Sequence, residues 1–215
     1  MSRHTAEKNL SELLEKTIYC NGCMGASMND CATCDRQVTK EDRKKKFRTI
    51  MGKALTWTDI LRLEAEMENY GFFDAPASVK HHGNYDGGLF DHSLCVTECL
   101  VNLTEKLGLE WHDKRSPYIV GMFHDLCKVR NYEKKEDGSW GYVNEHVLPG
   151  HGEKSVIMLQ FLKHLTEEEM LCIRWHMGAF DDSKNWQYFT NAVNRYPNVL
   201  WTHAADMEAA HIIEV

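Results

Sequence analysis

The strongest constraint on the fold of this chain is a set of six potential metal ligands spread through its last two thirds. They are His92, His124, Asp125, His151, His176 and Asp206. Each lies in or beside a segment with helical periodicity, so these residues can meet only if successive helices fold around one point. Imidazole and carboxylate groups hold catalytic divalent ions and iron, and a pair of ions needs about this many ligands. The pattern predicts a helical bundle built around a metal centre.

The adjacent pair His124 and Asp125 is the most specific part of this pattern. Neighbouring side chains on a helix point about 100° apart, so the two cannot both lie at the centre of one helical face. A metal between them satisfies both, because His124 would bind one ion while Asp125 could bridge two. Lys128 follows Asp125 by three positions and comes up on the same face. There its ammonium group could meet a phosphate oxygen.

Each ligand also has a simpler interpretation, since a single His on a half-apolar helix is often a hydrogen-bonded core residue. The ordered set argues against it, because unpaired polar groups in several apolar or Gly-bounded helical segments would be costly. The His residues outside this pattern are interpreted as surface or packing groups: His4, His112, His146, His164, His203 and His211.

The local strings around the six residues resemble a known family. They are FDHSL, FHDLCK, GHGEKS, RWHMG and HAADMEA. In this order, over residues 78–212, they resemble the HD-domain metal-dependent phosphohydrolases. The segment HHGNYDGGLFDHSL is similar to the approach to the first ligand helix in HD-domain 3′-to-5′ exoribonucleases. The resemblance implies an all-α fold, in the form of a compact HD-domain helical bundle, and hydrolysis of a phosphoester by metal-activated water.

The resemblance also implies how the ligands divide. One ion would be held by His92, His124, Asp125 and Asp206, and a second by His151 and His176 with Asp125 shared. The ions expected are one or two divalent ions from the group Mn, Fe, Co, Ni and Mg. Two ions about 3.5–4 Å apart can activate a bridging water and stabilise charge developing on phosphorus.

The predicted catalytic residues are Asp125 and Lys128. Lys128, His81 and His82 are predicted to bind the substrate, which we expect to be a small phosphorylated molecule such as a nucleotide or an oligonucleotide. Two other functions remain open. HD-related di-iron oxygenases use the same six-ligand arrangement, which allows oxygenation of a small polar substrate. A non-catalytic protein is the other, either a regulator that uses the metals as structural staples or a nucleic-acid-binding module centred on the N-terminal cysteines described below.

Four Cys residues near the N-terminus form a second candidate metal site. Cys20, Cys23, Cys31 and Cys34 read CNGC, seven intervening residues, and CATC. Paired thiolates at this spacing are typical of a structural zinc site. The short loop between the pairs leaves an iron–sulfur cluster or a redox dithiol open. The other four Cys residues follow apolar helical patterns and are predicted to be small buried thiols: Cys95, Cys99, Cys127 and Cys172.

The sequence predicts two parts. Residues 1–48 hold a short helix over 5–16, the four-cysteine zinc knuckle and a basic connector, and residues 49–215 form the helical metallohydrolase domain. The connector DRQVTKEDRKKKFR is interpreted as a solvated helix, with contact to nucleic acid left open. Within the larger part, aromatic residues flank Asp137-Gly138, which predicts one short β-hairpin over the site. It could be a lid, a substrate wall or a surface excursion.

Composition limits the partners of this chain. No stretch approaches the roughly 18 apolar residues of a membrane helix, and the N-terminal MSRHTAEKNL is polar. The sequence therefore predicts a cytoplasmic protein with no membrane partner. A net charge of −7 argues against a broad nucleic-acid-coating surface. The oligomeric state is not predicted.

Overall fold

The computed structural model describes residues 38–80, 83–143 and 150–215. These residues form an all-α fold with one small antiparallel sheet, as the sequence predicts. The described helices are α1 (Lys40–Met51), α2 (Trp57–Asn69), α3 (Gly88–Leu107), α4 (Ser116–Phe123), α5 (His151–Gln160), α6 (Glu167–Arg174), α7 (Trp186–Arg195) and α8 (Asn198–Glu208). Strands β1 (Tyr132–Lys134) and β2 (Trp140–Tyr142) form the predicted hairpin.

Short irregular helices join these elements. Three are 3₁₀ segments at Leu126–Arg130, Gly178–Phe180 and Ser183–Asn185, and a π-helix at Ala209–Ile213 extends α8. Three predicted features lie outside the described residues: the N-terminal helix, the four-cysteine knuckle, and the loop histidines His81 and His82. The division of the chain at residue 48 stays a prediction. Within the described ranges, no helical segment combines the length and apolar character that a membrane span requires.

A cluster of phenylalanine rings forms the centre of the core. Phe47, Phe72, Phe73, Phe90 and Phe123 are each at most 1% exposed. Phe73 and Phe90 have ring centroids 5.4 Å apart, and Phe47 meets Phe73 edge-on at 5.7 Å. Such pairs contribute about 0.5–1.5 kcal/mol each beyond the area they bury. Since Phe90 and Phe123 lie within two residues of His92 and His124, the same packing fixes the backbone that carries two of the predicted ligands.

Helix α1 is less exposed than the sequence predicts. The Arg43 side chain is 7% exposed, and its guanidinium donates to both oxygens of Asp91 at 3.1 and 2.8 Å. Phe47 is fully buried. The helical prediction for this segment is confirmed from Lys40 onward, but the solvated interpretation is wrong for this face. Arg43 is therefore paired with a carboxylate, that of Asp91, which lies 48 positions later in the chain.

Local signals set most helix ends. Gly108 terminates helix α3 at φ 65°, in the left-handed region that favours glycine. Thr166 and Glu169 form a capping box at the start of α6. The sequence makes Thr58 a plausible cap for α2, but the structure uses Thr56, whose side chain accepts the hydrogen bond from the backbone N–H of Asp59. Either threonine satisfies the sequence pattern.

Helices α3 and α4 come into close contact at Gly121. A Cβ atom added there would lie 2.5 Å from the Cα atom of Thr97, well inside contact distance. The oxygen of Gly121 also accepts a hydrogen bond from Nδ1 of His124 at 2.8 Å. This glycine therefore sets both the approach of the two helices and the orientation of the His124 ring.

We expect Gly121→Ala to separate α3 from α4 and displace His124. Overpacking of this kind costs about 1–3 kcal/mol of unfolding free energy. Urea unfolding and metal titration of the purified variant measure the two effects. Wild-type stability together with wild-type metal affinity would contradict the close-contact role.

Candidate metal centre

The ends of four helices converge to form the centre. His92 lies in the first turns of α3, and Asp206 lies near the end of α8. His124 directly follows α4, and His176 follows α6 by two residues. Because these side chains leave the helices at their ends, the ligands approach one point from several directions.

The ligand atoms form three overlapping groups, in each of which they lie within 4.8 Å of one another. The groups are His92, His124 and Asp206; His124, Asp125 and His176; and Asp125, Cys127 and His151. All six predicted ligands thus belong to one connected cluster. His151 and His176, predicted to share the second ion, occur in different groups, and each is grouped with Asp125.

Three of the histidine rings have the same hydrogen-bonding arrangement. Nδ1 of His92 lies 2.9 Å from the Val215 oxygen, and Nδ1 of His124 and His176 lie 2.8 and 2.7 Å from the oxygens of the residues three positions earlier. A carbonyl oxygen can only accept, so Nδ1 carries the hydrogen in each ring. Nε2 then faces the centre as the atom available to a metal.

Buried polar atoms without partners mark the middle of the cluster. Among the described residues, Nε2 of His124, Oδ1 of Asp125 and Nε2 of His176 have no hydrogen-bond partner. Each such atom costs about 1–3 kcal/mol. Oδ1 of Asp125 lies 3.4 Å from Nε2 of His176, and Oδ2 lies 3.4 Å from Nε2 of His124. A divalent cation would satisfy all three atoms, so the donor set fits a metal site.

The charges of the cluster are strongly coupled. Burial alone would raise the pKa of Asp125, but Lys128 and His124 outweigh it and hold that pKa well below its usual value. Burial would likewise lower the pKa of His124, yet the carboxylates of Asp125 and Asp206 raise it to about 10. Without a metal, His124 therefore carries a proton at neutral pH and takes the place of a cation between the two carboxylates.

Metal uptake should accordingly release a proton. The Nε2 atom of His124 can bind an ion only after it loses its proton, and its raised pKa means that the proton is still present at pH 7 to 9. We expect the apparent metal affinity to rise about tenfold per pH unit across this window and to level off as pH passes the pKa. Calorimetric titration in buffers of different ionisation enthalpy counts the protons, and uptake without proton release would contradict this assignment.

Lys128 occupies the position that the sequence predicts. Its Nζ atom lies 2.6 Å from Oδ2 of Asp125, and its side chain is only 13% exposed. Burial opposes its charge, but Asp125 outweighs the burial and raises the pKa of Lys128. The backbone differs from the expected α-helix, because α4 ends at Phe123 and Lys128 lies in the 3₁₀ segment Leu126–Arg130.

The structure adds one residue that sequence analysis assigned to the surface or packing. Nδ1 of His203 donates to the backbone oxygen of His176 at 2.7 Å. Its ring also covers Gly178, where an added Cβ would come within 2.6 Å of it. His203 therefore holds the turn that presents His176. Its spacing of three residues before Asp206 on α8 is a signal that could have revealed it.

The hairpin is attached to the loop that leads into α3. Tyr132 pairs with Tyr142 and Lys134 with Trp140, so these four side chains share one face of the hairpin. Lys134 forms an ion pair with Asp86, and Nε1 of Trp140 donates to Asp86 at 2.8 Å. The hairpin thus lies beside the segment that carries His92.

The fold and this cluster define an all-α protein with buried His/Asp groups that could hold a metal. No family model and no solved structure matches the chain. One curated relative is similar over part of its length: the dihydroneopterin 2′,3′-cyclic phosphate phosphodiesterase of Methanocaldococcus jannaschii is 36% identical over 74 residues. The match covers 32% of this chain and 29% of that protein. It supports a phosphoester hydrolase at a coarse level.

Proposed function

We propose that this chain is a metal-dependent phosphohydrolase of the HD-domain type. Its substrate is a small phosphoester, either a nucleotide or an oligonucleotide. The observation that carries the proposal is a set of three buried atoms on His124, Asp125 and His176 that have no hydrogen-bond partner among the described residues. The partial similarity to a phosphodiesterase supports the same reaction class.

The proposed division of the ligands between two ions is the one that the resemblance to the HD-domain family implies. One ion would be held by His92, His124 and Asp206, and a second by His151 and His176, with Asp125 shared between them. The two oxygens of Asp125 support this sharing, because Oδ2 faces His124 and Oδ1 faces His176. A bound ion lowers the pKa of a coordinated water to about 7 in favourable cases and offsets charge on phosphorus.

Lys128 has a separate role in this proposal. Its ammonium group, held beside Asp125, can donate hydrogen bonds to a phosphate oxygen and offset its negative charge. The low exposure of this side chain strengthens the interaction, since charges attract more strongly where water is excluded. Lys128 is therefore proposed to stabilise the transition state without holding the metal.

A panel of phosphoesters tests the proposed function. Metal-free protein is reloaded with Mn, Fe(II), Co, Ni or Mg and incubated with nucleoside 2′,3′-cyclic and 3′,5′-cyclic phosphates, nucleoside monophosphates and dinucleotides. We expect at least one metal to support hydrolysis of one ester class. The absence of hydrolysis with every ion would overturn the proposal. Oxygen consumption by the iron-loaded protein would instead favour the oxygenase alternative.

A further inference from the structure

His151 differs from the other three histidines in what its ring contacts. It begins α5, directly after Gly150, and its Nδ1 atom faces side chains instead of a backbone oxygen. The Nδ2 atom of Asn131 lies 3.4 Å from this Nδ1, and the Sγ atom of Cys127 lies 3.6 Å from it. The protonation of this ring therefore depends on side chains that can rearrange.

The backbone of Asn131 is held in place beside His151. Asn131 is 5% exposed. Its backbone N–H donates to the backbone oxygen of Lys128 at 3.1 Å, and its backbone oxygen accepts from the N–H of Val143 at 3.0 Å. The side-chain oxygen Oδ1 is buried and has no hydrogen-bond partner among the described residues. A buried amide with an unpaired oxygen beside an imidazole indicates that the amide has a role to be identified.

The orientation of this amide decides which nitrogen of His151 can bind a metal. When Nδ2 faces the ring, Nδ1 of a neutral His151 must accept, and the hydrogen resides on Nε2. A rotation of the amide by 180° exchanges its oxygen and nitrogen. Nδ1 then donates to Oδ1, and Nε2 keeps a free lone pair. After the rotation, Oδ1 of Asn131 would occupy the present position of Nδ2, which lies 3.9 Å from Sγ of Cys127, so the thiol could also donate to it.

We propose that Asn131 is a positioning residue for His151: its side-chain oxygen accepts a hydrogen bond from Nδ1 and leaves Nε2 to bind an ion. The inference rests on the proposed metal centre and assigns to this chain a residue outside the six ligands. It gives His151 the same ring arrangement as His92, His124 and His176. The difference is that their partners are backbone oxygens, whereas His151 relies on a side chain that substitution can remove.

The consequence is a selective effect on one ion. Asn131→Leu removes the acceptor and keeps a buried side chain of similar length, so the ion that depends on His151 should bind about 10–100-fold more weakly. The ion at His92, His124 and Asp206 should keep its affinity. Asn131→Asp provides only acceptor oxygens and should retain both ions.

Stepwise metal titration of the full metal-free chain tests this inference. The step lost in His151→Ala identifies the affected ion, and Asn131→Leu should weaken that step alone. Asn198→Leu is the matched control, because Asn198 is equally buried but bonds to Glu110 and Glu168. It should lower stability without changing either metal affinity. Nitrogen-15 NMR of the zinc-loaded wild type should show the hydrogen of His151 on Nδ1.

The possible results separate this inference from the proposed function. A wild-type centre that binds no ion would overturn both. Two bound ions with unchanged affinities in Asn131→Leu would overturn the role of Asn131 alone, as would a wild-type His151 protonated only on Nε2. If Asn131→Leu fails to fold, loss of the His151-dependent ion in Asn131→Asp would overturn the inference, and retention would support it.

Discussion

Substitution of Asp125 with Ala should abolish turnover on every phosphoester that the wild type cleaves. Asp125 is the residue that the proposal places between the two ions, since its Oδ2 faces His124 and its Oδ1 faces His176. Its loss would therefore remove a proposed ligand from both ions. We expect a fall in catalytic efficiency on the order of a thousandfold or more. The measurement is steady-state kinetics combined with metal analysis of the same samples.

The variant needs a control for folding, because removal of one member of a buried charge cluster can cost about 3–5 kcal/mol. Asp125→Asn keeps the size of the side chain while it removes the charge, and it should also lose activity. Circular dichroism establishes whether each variant is folded. A folded Asp125→Ala protein with full activity would contradict the proposed mechanism.

Lys128→Ala should give a different result. The substitution leaves the six proposed ligands in place and removes an ammonium group, so metal content should persist. Catalytic efficiency should drop by about tenfold to a thousandfold if this charge stabilises the transition state. Metal analysis and kcat/KM measured together distinguish this outcome from loss of the ion.

Lys184→Ala provides a matched control for removal of a lysine charge. Lys184 is paired with Asp182 and 75% exposed, whereas Lys128 is nearly buried. The control variant should retain wild-type kinetics. Full activity in Lys128→Ala would show that Lys128 forms the ion pair with Asp125 but has no role in catalysis.

The sequence predicts elements whose signals are local. The limits of α3 follow from Gly88 and Gly108, and the start of α6 follows from the Thr166 cap. The grouping of ligand-type residues could also be anticipated, because each lies at a recognisable position in a helical pattern. The geometry supports the proximity of these residues, while their roles stay predictions.

The features that sequence analysis missed depend on contacts between distant segments. Arg43 is buried because Asp91 is available to pair with it, and no local pattern near residue 43 reveals that partner. The switch from α4 to a 3₁₀ segment after Phe123 is also hidden, since both helix types satisfy the same short apolar spacing. Helix α7 was not predicted, and Ala192, which is 6% exposed, is its one buried residue.

The contact between His92 and Asp206 has a consequence for the order of events during synthesis. These two side chains, 3.1 Å apart in the folded chain, are separated by 114 positions. Since the N-terminal part of a chain leaves the ribosome first, His92 emerges well before its carboxylate partner exists. The group of His92, His124 and Asp206 therefore stays incomplete until α8 has been translated. An ion captured earlier would be held by fewer protein ligands, so the proposed centre would be loaded late in the maturation of this protein.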